Sequence, residues 1–123
     1  MKTYLIAPCG MNCGICKGYL REKNKCPGCR LLSIDIPVSI RRCRIKYCDF
    51  FKSGKEKFCY KCESFPCARL KQLDKRYREK YSMSMLKNLE YIQDRGVREF
   101  IKKEKKKYER GDKVICVHDK RLY

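Results

Sequence analysis

The second half of the chain places apolar residues at the spacing of amphipathic helices. Downstream of Pro66, a suitable first-turn residue, one apolar stripe predicts a first helix and comprises Leu70, Leu73, Tyr77 and Tyr81. Ser84 is the predicted N-cap of a second helix, and Gly96 is its predicted left-handed C-terminal stop. The stripe of that second helix comprises Met85, Leu89 and Ile92. A third helix is predicted to end near Gly111, and its stripe comprises Val97, Phe100, Ile101 and Tyr108.

The first 67 residues have a different pattern, with short apolar runs between cysteines and prolines. They contain ten of the 11 cysteines and all four prolines, which favours irregular loops. We therefore predict a mainly α fold. In it, a cysteine-rich metal-binding region (residues 1–67) packs as one unit with a basic helical region that has a Cys/His tail (residues 68–123). The fold is a small metal-stapled domain of zinc-knuckle loops with little or no β-sheet, at most a strand pair near Tyr4–Ile6 and Val114–Val117.

The apolar interior available to this chain is small. Leu, Ile, Val and Phe account for 27 of the 123 residues, about 22%. This is close to the composition at which a charged chain fails to bury enough surface to fold. Cross-links must therefore help to stabilise the fold, and the cysteines are the candidates.

The cysteines are predicted to bind metal rather than to form disulfides. The N-terminal apolar run, Tyr4–Ala7, is too short for a signal-peptide core, and no stretch approaches the length of a membrane span. We therefore expect a cytoplasmic protein with no membrane partner, in a reducing compartment where disulfides rarely persist. The odd number of cysteines also argues against a fully paired disulfide framework.

Cysteine spacing predicts tetrahedral zinc sites. Two cysteines separated by two residues lie on one tight turn, which holds both sulfurs about one tetrahedral edge apart. The chain has three such pairs and a further pair separated by four residues. In the pair formed by Cys26 and Cys29, Pro27 fixes the first turn angle and Gly28 tolerates a positive φ.

Eleven cysteines and one histidine provide ligands for three closed sites, so we expect two or three zinc ions. The first predicted site consists of Cys13, Cys16, Cys26 and Cys29. The second predicted site consists of Cys43, Cys48, Cys59 and Cys62. The third predicted site consists of Cys9, Cys67, Cys116 and His118. Interleaved pairing stays open, as does a role as buried or free thiols for members of the third group.

An iron–sulfur cluster is the alternative cofactor. Cys9, Cys13 and Cys16 have the spacing that holds such a cluster in radical S-adenosylmethionine enzymes, although those enzymes need a far longer barrel. A cluster by itself needs only three or four thiolates. Iron–sulfur binding without that chemistry is therefore the second interpretation of the same cysteines.

Several segments together resemble a known family. These segments are CGMNCGICKGYL, KCPGC, CRIKYC, FCYKCESFPCARL, NLEYIQDRGVREFI and ICVHDKRLY. Over nearly its whole length the chain resembles a prokaryotic domain-of-unknown-function family of small cysteine-rich, presumed zinc-binding proteins. The resemblance implies metal-type cysteines at the ten positions from Cys9 to Cys67, and it implies no particular activity. Many relatives have a further Trp-x-Cys-Pro-x-Cys-Gly knuckle, where this chain has only Cys116 and His118.

The chain is strongly basic, with a formal net charge of +18. Three Zn²⁺ ions would add six positive charges and 11 thiolates would remove 11, which leaves +13. This excess predicts a polyanionic partner, with nucleic acid as the first candidate. The residues predicted to contact it are Arg41, Arg42, Arg44, Lys46, Arg69, Lys75, Arg76, Lys102, Lys103 and Lys106.

Aromatic residues beside the first basic cluster strengthen the case for RNA, since aromatic rings stack on unpaired bases. They are Tyr47, Phe50, Phe51, Phe58 and Tyr60. The sequence thus predicts a structural zinc-binding protein that contacts RNA or a ribonucleoprotein, and that is associated with the ribosome or tRNA. The alternatives are an iron–sulfur or redox accessory protein and a zinc-stabilised protein–protein adaptor. In the plainest interpretation the lysines form a solvated face and the phenylalanines belong to the core.

No residue set predicts catalysis. The sequence has no Ser/His/Asp set, no phosphate-binding glycine loop and no Glu beside a zinc-binding histidine. His118 is the only histidine, and all-cysteine zinc sites are mostly closed and structural. We therefore name no catalytic residue.

Overall fold

A computed structural model describes residues 1–30, 45, 48–51 and 56–123. These residues form four α-helices, α1 (Lys17–Leu20), α2 (Ala68–Tyr81), α3 (Met85–Arg95) and α4 (Val97–Tyr108). Short 3₁₀ turns lie at Thr3–Leu5, Cys13–Ile15, Asp49–Phe51 and Cys59–Lys61. The predicted mainly α fold is confirmed. None of the helices in this part of the chain is long and apolar enough to cross a bilayer.

The three predicted helices correspond to α2, α3 and α4, with corrections at their ends. Ser84 caps α3 as expected, because its hydroxyl accepts the Lys87 amide at 3.1 Å. Gly96 ends α3 at the predicted position, but its conformation is not that of a left-handed helix; the residue with that conformation is Ser82, which follows α2 with φ 55° and ψ 37°. Gly96 has φ 88° and ψ 161°, a conformation open essentially only to glycine, and it joins α3 directly to α4.

The two β-strands form a local hairpin. β1 (Glu109–Arg110) pairs antiparallel with β2 (Lys113–Val114) around Gly111, whose φ is +67°. This hairpin ends α4 at Tyr108, three residues before the predicted end. The predicted pairing of Tyr4–Ile6 with Val114–Val117 is wrong, because tight turns supply each segment with a nearby partner: Ile6 bridges to Asn12, and Ile115 bridges to Leu122.

The core joins the cysteine-rich loops to the helices. One cluster of buried apolar side chains draws on both regions and includes Leu5, Ile15, Leu70, Leu89 and Val117. A smaller cluster, which holds α4 against α3, consists of Ile6, Ile92, Phe100 and Ile101. Burial of these side chains provides the main apolar stabilisation of a chain with few apolar residues.

Helix α3 lies directly against the N-terminal loop at Gly10. The Asn88 side-chain amide donates to the Gly10 carbonyl at 3.0 Å. A Cβ at Gly10 would lie 3.0 Å from both Leu89 Cγ and the Met85 carbonyl oxygen, and the φ of Gly10 is +89°. Glycine is therefore needed here for its backbone conformation and for its lack of a side chain.

Asp74 connects α2 to the start of α3. Its buried carboxylate accepts hydrogen bonds from the Ser84 hydroxyl at 2.6 Å, the Leu86 amide at 3.1 Å and Arg78 Nε at 2.7 Å. The Leu86 amide is one of the first amides of α3, which have no partner within the helix. Burial raises the pKa of Asp74, but these hydrogen bonds together outweigh it, so the pKa lies below its usual value of 3.8.

Candidate metal centres and basic surface

The first predicted site is organised by a 3₁₀ turn and helix α1. The buried Asn12 caps the turn, because its side-chain oxygen accepts the Gly14 amide at 2.9 Å. Cys13 begins this turn, and Cys16 is the N-cap of α1. The backbone amides of Gly18 and Tyr19 hydrogen-bond the Cys16 sulfur. Amides directed at a cysteine sulfur in this way stabilise a thiolate ligand.

The Cys26–Cys29 loop folds back onto that turn. The Cys26 amide donates to the Gly18 carbonyl at 2.8 Å, and the Cys29 amide approaches Cys13 Sγ at 3.5 Å. A Cβ at Gly18 would lie 3.5 Å from the Cys26 Cβ and 3.7 Å from Cys16 Sγ. The structure thus places the four cysteines of the first predicted site beside one another. Gly28 has φ +109°, as the Cys-Pro-Gly-Cys motif predicts.

Electrostatics disfavour bare thiolates in this group. Burial raises the pKa of Cys16; the amides of Gly18 and Tyr19 lower it, and the neighbouring Cys29 and Cys26 raise it again. Several thiolates this close repel one another unless a cation lies among them.

Arg30 is a cation at the edge of this group, and sequence reasoning missed it. Its half-buried guanidinium donates from Nε to the Ile6 carbonyl at 2.6 Å and from Nη2 to the Lys57 carbonyl at 2.7 Å. The guanidinium carbon lies 4.6 Å from the centre of the Phe58 ring. Burial lowers the pKa of Arg30, whereas the nearby sulfurs raise it, in the order Cys13, Cys9, Cys29 and Cys59. The only sequence signal was an arginine directly after the Cys-Pro-Gly-Cys motif.

A second group of cysteines lines one cavity of about 360 Å³. The thiols in its wall belong to Cys48, Cys59, Cys62 and Cys67. The second predicted site had Cys43 in place of Cys67, and Cys43 lies outside the described residues. Cys67 was predicted for the third site, but it opens α2 at the edge of this cavity.

Of the remaining predicted ligands, Cys9 is buried in the N-terminal loop, whereas Cys116 and His118 lie in the tail beside α1 and α2. Cys116 is fully buried, and burial raises its pKa. Hydrogen bonds from the Asp119 and His118 amides lower the pKa but do not cancel this effect. His118 Nδ1 accepts the Lys17 amide at 3.2 Å, so the ring proton lies on Nε2, which is 3.0 Å from the Tyr77 hydroxyl. Both ring nitrogens are engaged, and metal binding by His118 would require one of these bonds to break.

In the described part of the chain, the candidate ligands are not close enough together to bind a single metal ion. Among residues 1–30, 45, 48–51 and 56–123, no three Cys, His, Asp or Glu side chains converge closely enough to hold one metal ion. The ten cysteines in these ranges are all outside disulfide bonds. The zinc sites, and the grouping of their ligands, stay predictions.

Six of the ten predicted nucleic-acid contacts are described, and all six are exposed. They are Arg69, Lys75 and Arg76 on α2 and Lys102, Lys103 and Lys106 on α4. Lys102 pairs with Glu99 at 3.2 Å, and Lys103 Nζ lies 4.6 Å from the centre of the Tyr91 ring. The other four predicted contacts lie outside the described residues: Arg41, Arg42, Arg44 and Lys46.

The aromatic residues predicted to stack on bases make contacts within the protein. Phe50 and Phe51 line the cysteine cavity. The rings of Phe58 and Tyr60 stack on each other with centres 5.5 Å apart. These four residues are half-buried, and Tyr47 lies outside the described residues. The exposed basic helices are therefore the stronger candidate for a polyanion contact.

Comparison with known proteins identifies one family. Residues 5–72 match the family described as Protein of unknown function (DUF3795). No curated protein and no solved structure matches the chain. The matched segment covers 68 of the 123 residues and includes both groups of neighbouring cysteines. The chain therefore belongs to the DUF3795 family of cysteine-rich proteins of unknown function.

Proposed function

We propose that this protein is a zinc-stabilised RNA-binding protein, in which a tetrathiolate site supports the N-terminal loops and helices α2 and α4 contact RNA or a ribonucleoprotein. The observation that carries the proposal is the excess of exposed basic side chains on these two helices. The metal site is the scaffold on which that surface depends.

The charge on α2 and α4 supports a polyanionic partner. Each helix has six Lys or Arg and two Asp or Glu residues, a net charge of +4. On each helix one of the two acids, Asp74 or Glu104, is buried, and Asp74 pairs with one of the exposed cations, Arg78. Exposed cations bind phosphates without regard to base sequence.

The first cysteine group supports the zinc scaffold. Cys13, Cys16, Cys26 and Cys29 come from two neighbouring turns, and backbone amides approach the sulfurs of Cys13 and Cys16. A zinc ion with four thiolates has a net charge of −2, and the half-buried Arg30 lies close enough to compensate part of it.

Metal analysis tests the scaffold. Protein purified without added metal should contain at least one zinc per chain, and Cys26→Ser should lose one zinc relative to the wild type. Cys116→Ser, which removes a buried sulfur that contacts the tail, is the matched control and should keep that zinc. Equal zinc content in wild type and Cys26→Ser would reject the first site.

Salt dependence tests RNA binding. Affinity for a labelled single-stranded RNA should fall steeply and linearly in a plot of log K against log salt concentration. A triple Lys→Gln variant should reduce that slope by about 2 if each lysine contacts one phosphate. Its positions are Lys102, Lys103 and Lys106.

A charge-matched variant distinguishes RNA binding by a defined surface from attraction by the net charge of the protein. It removes three exposed lysines outside α2 and α4, namely Lys2, Lys23 and Lys113. We expect this control to bind RNA nearly as tightly as the wild type. Equal losses in both triple variants would show attraction by overall charge alone, and salt-independent affinity would reject the RNA proposal.

A further inference from the structure

The cavity lined by Cys48, Cys59, Cys62 and Cys67 shares no cysteine with the proposed zinc site, although Cys59 and Cys13 both act on Arg30. The four cysteines reach it from three elements: Cys48 precedes the turn Asp49–Phe51, two lie in or directly after the turn Cys59–Lys61, and Cys67 is the N-cap of α2. The rest of the wall is apolar except for Ser64 and Arg69. Its apolar members are Ile45, Phe50, Phe51, Phe65, Ala68 and Leu70.

The size of the cavity favours a ligand larger than one metal ion. Four sulfurs bound to one zinc at about 2.3 Å would lie about 3.8 Å from one another and leave no space between them. In the described part of the chain no group of side chains converges in this way, the first cysteine group included, so the difference lies in the space between the cavity thiols. These thiols surround about 360 Å³, a volume at the lower end of the range for cofactor pockets.

The surroundings favour an anionic, thiolate-bound ligand. Cys67 lies at the N-terminus of a 14-residue helix, the end of a helix at which the dipole favours a negatively charged ligand. Its side chain makes no capping hydrogen bond. Arg69 adds a positive charge to the wall. An apolar small molecule would need neither the four thiols nor these charges.

We propose that this cavity binds an iron–sulfur cluster through the thiolates of Cys48, Cys59, Cys62 and Cys67. In a four-iron cluster each cysteine binds a different iron atom, so the sulfurs surround the ligand rather than meet at one point. Three phenylalanines make part of the wall apolar, and the surroundings of a cluster help to set its potential. This inference goes beyond the proposed function, because the centre and its ligands are separate from the zinc scaffold.

Iron and sulfide analysis of the full chain tests the proposal directly. Protein purified under strict anaerobiosis, or reconstituted with ferric iron, sulfide and excess thiol as reductant, should be brown and contain iron and acid-labile sulfide in equal amounts. Cys62→Ser and Cys67→Ser should each lose most of the iron. Ser64→Ala, which changes the same wall but removes no thiol, should keep it. Colourless wild-type protein without iron after reconstitution, or zinc in place of iron, would overturn the proposal.

A second measurement on wild-type protein locates the cluster without relying on variants that must fold. Reconstitution should protect Cys48, Cys59, Cys62 and Cys67 from alkylation, as read out by peptide mass spectrometry against the apo protein. Protection confined to the Cys13–Cys29 group would show that the cluster binds there and would reject this cavity as its site. Cys16→Ser should lower zinc but not iron, so failure of the zinc scaffold and failure of the cluster give different results.

Discussion

Replacing Asp74 by alanine should destabilise the protein more than any other change to an exposed or polar position on α2. The carboxylate holds the start of α3 through the Ser84 hydroxyl and the Leu86 amide. Hydrogen bonds to a charged group contribute about 1.5–3 kcal/mol each. The third partner, Arg78, has a side chain that is 56% exposed, so its ion pair contributes at most about 1 kcal/mol. Because these effects overlap, we expect a loss of about 3 kcal/mol in the free energy of unfolding.

Urea unfolding followed by circular dichroism measures this loss, and the slope of free energy against urea should not change. Glu79→Ala is the matched control, because Glu79 is an exposed carboxylate on the same helix. It should change stability by no more than about 0.5 kcal/mol. If Asp74→Ala and Glu79→Ala unfold at the same urea concentration, the assigned role of the carboxylate is wrong.

The same variant has a defined pH dependence. The pKa of Asp74 is lower in the folded protein than its usual 3.8, so the unfolded chain binds more protons in the acid range. The stabilisation is therefore complete above the unfolded-state pKa and is lost as pH falls through the folded-state pKa. The difference between wild type and Asp74→Ala should shrink in that acid range.

Three further predictions concern other buried positions and the metal. Glu104 is buried with Oε1 unpartnered among the described atoms, and burial raises its pKa above 4.5. Glu104→Gln should therefore stabilise the protein at neutral pH but not at about pH 3, where the wild-type carboxyl is protonated. Urea unfolding at a series of pH values measures this. A difference in stability between variant and wild type that does not change with pH would contradict the prediction. Gly10→Ala should cost about 1–3 kcal/mol more than Gly96→Ala in urea unfolding, because both have φ near +88° but only at Gly10 would the added Cβ meet neighbouring atoms, those of α3. Equal losses would show that backbone strain alone determines the cost. Excess chelator under reducing conditions should lower the melting temperature, and an unchanged melt after complete removal of metal would reject a metal scaffold.

The helical half could be predicted because its signals are local. A stripe such as Leu70, Leu73 and Tyr77 has the period of a helix, and Ser84 has the chemistry of an N-cap wherever the chain folds. The turn at Gly28 was predictable for the same reason. The strand partners could not be predicted, because a hairpin with two-residue strands such as β1–β2 depends on where the preceding helix ends.

The grouping of the cysteines depends on contacts between distant segments, which spacing does not encode. The Cys26–Cys29 loop meets the Cys13–Cys16 turn as the pairs suggest, since only nine residues separate the pairs. Cys67, in contrast, lines the cavity because α2 begins at that edge of it. The residues next to Cys67 in the sequence do not indicate this position. Arg30 was missed because its partners are backbone carbonyls and sulfurs that come together only in three dimensions.

The bond from the Lys17 amide to His118 spans 101 residues. The Val117 amide likewise donates to the Ile15 carbonyl at 2.9 Å. During synthesis the turn that presents Cys13 and Cys16 therefore emerges from the ribosome long before the segment that secures it. In that interval the turn lacks both of these hydrogen bonds, so the order of translation delays its final packing until the C-terminal segment has emerged.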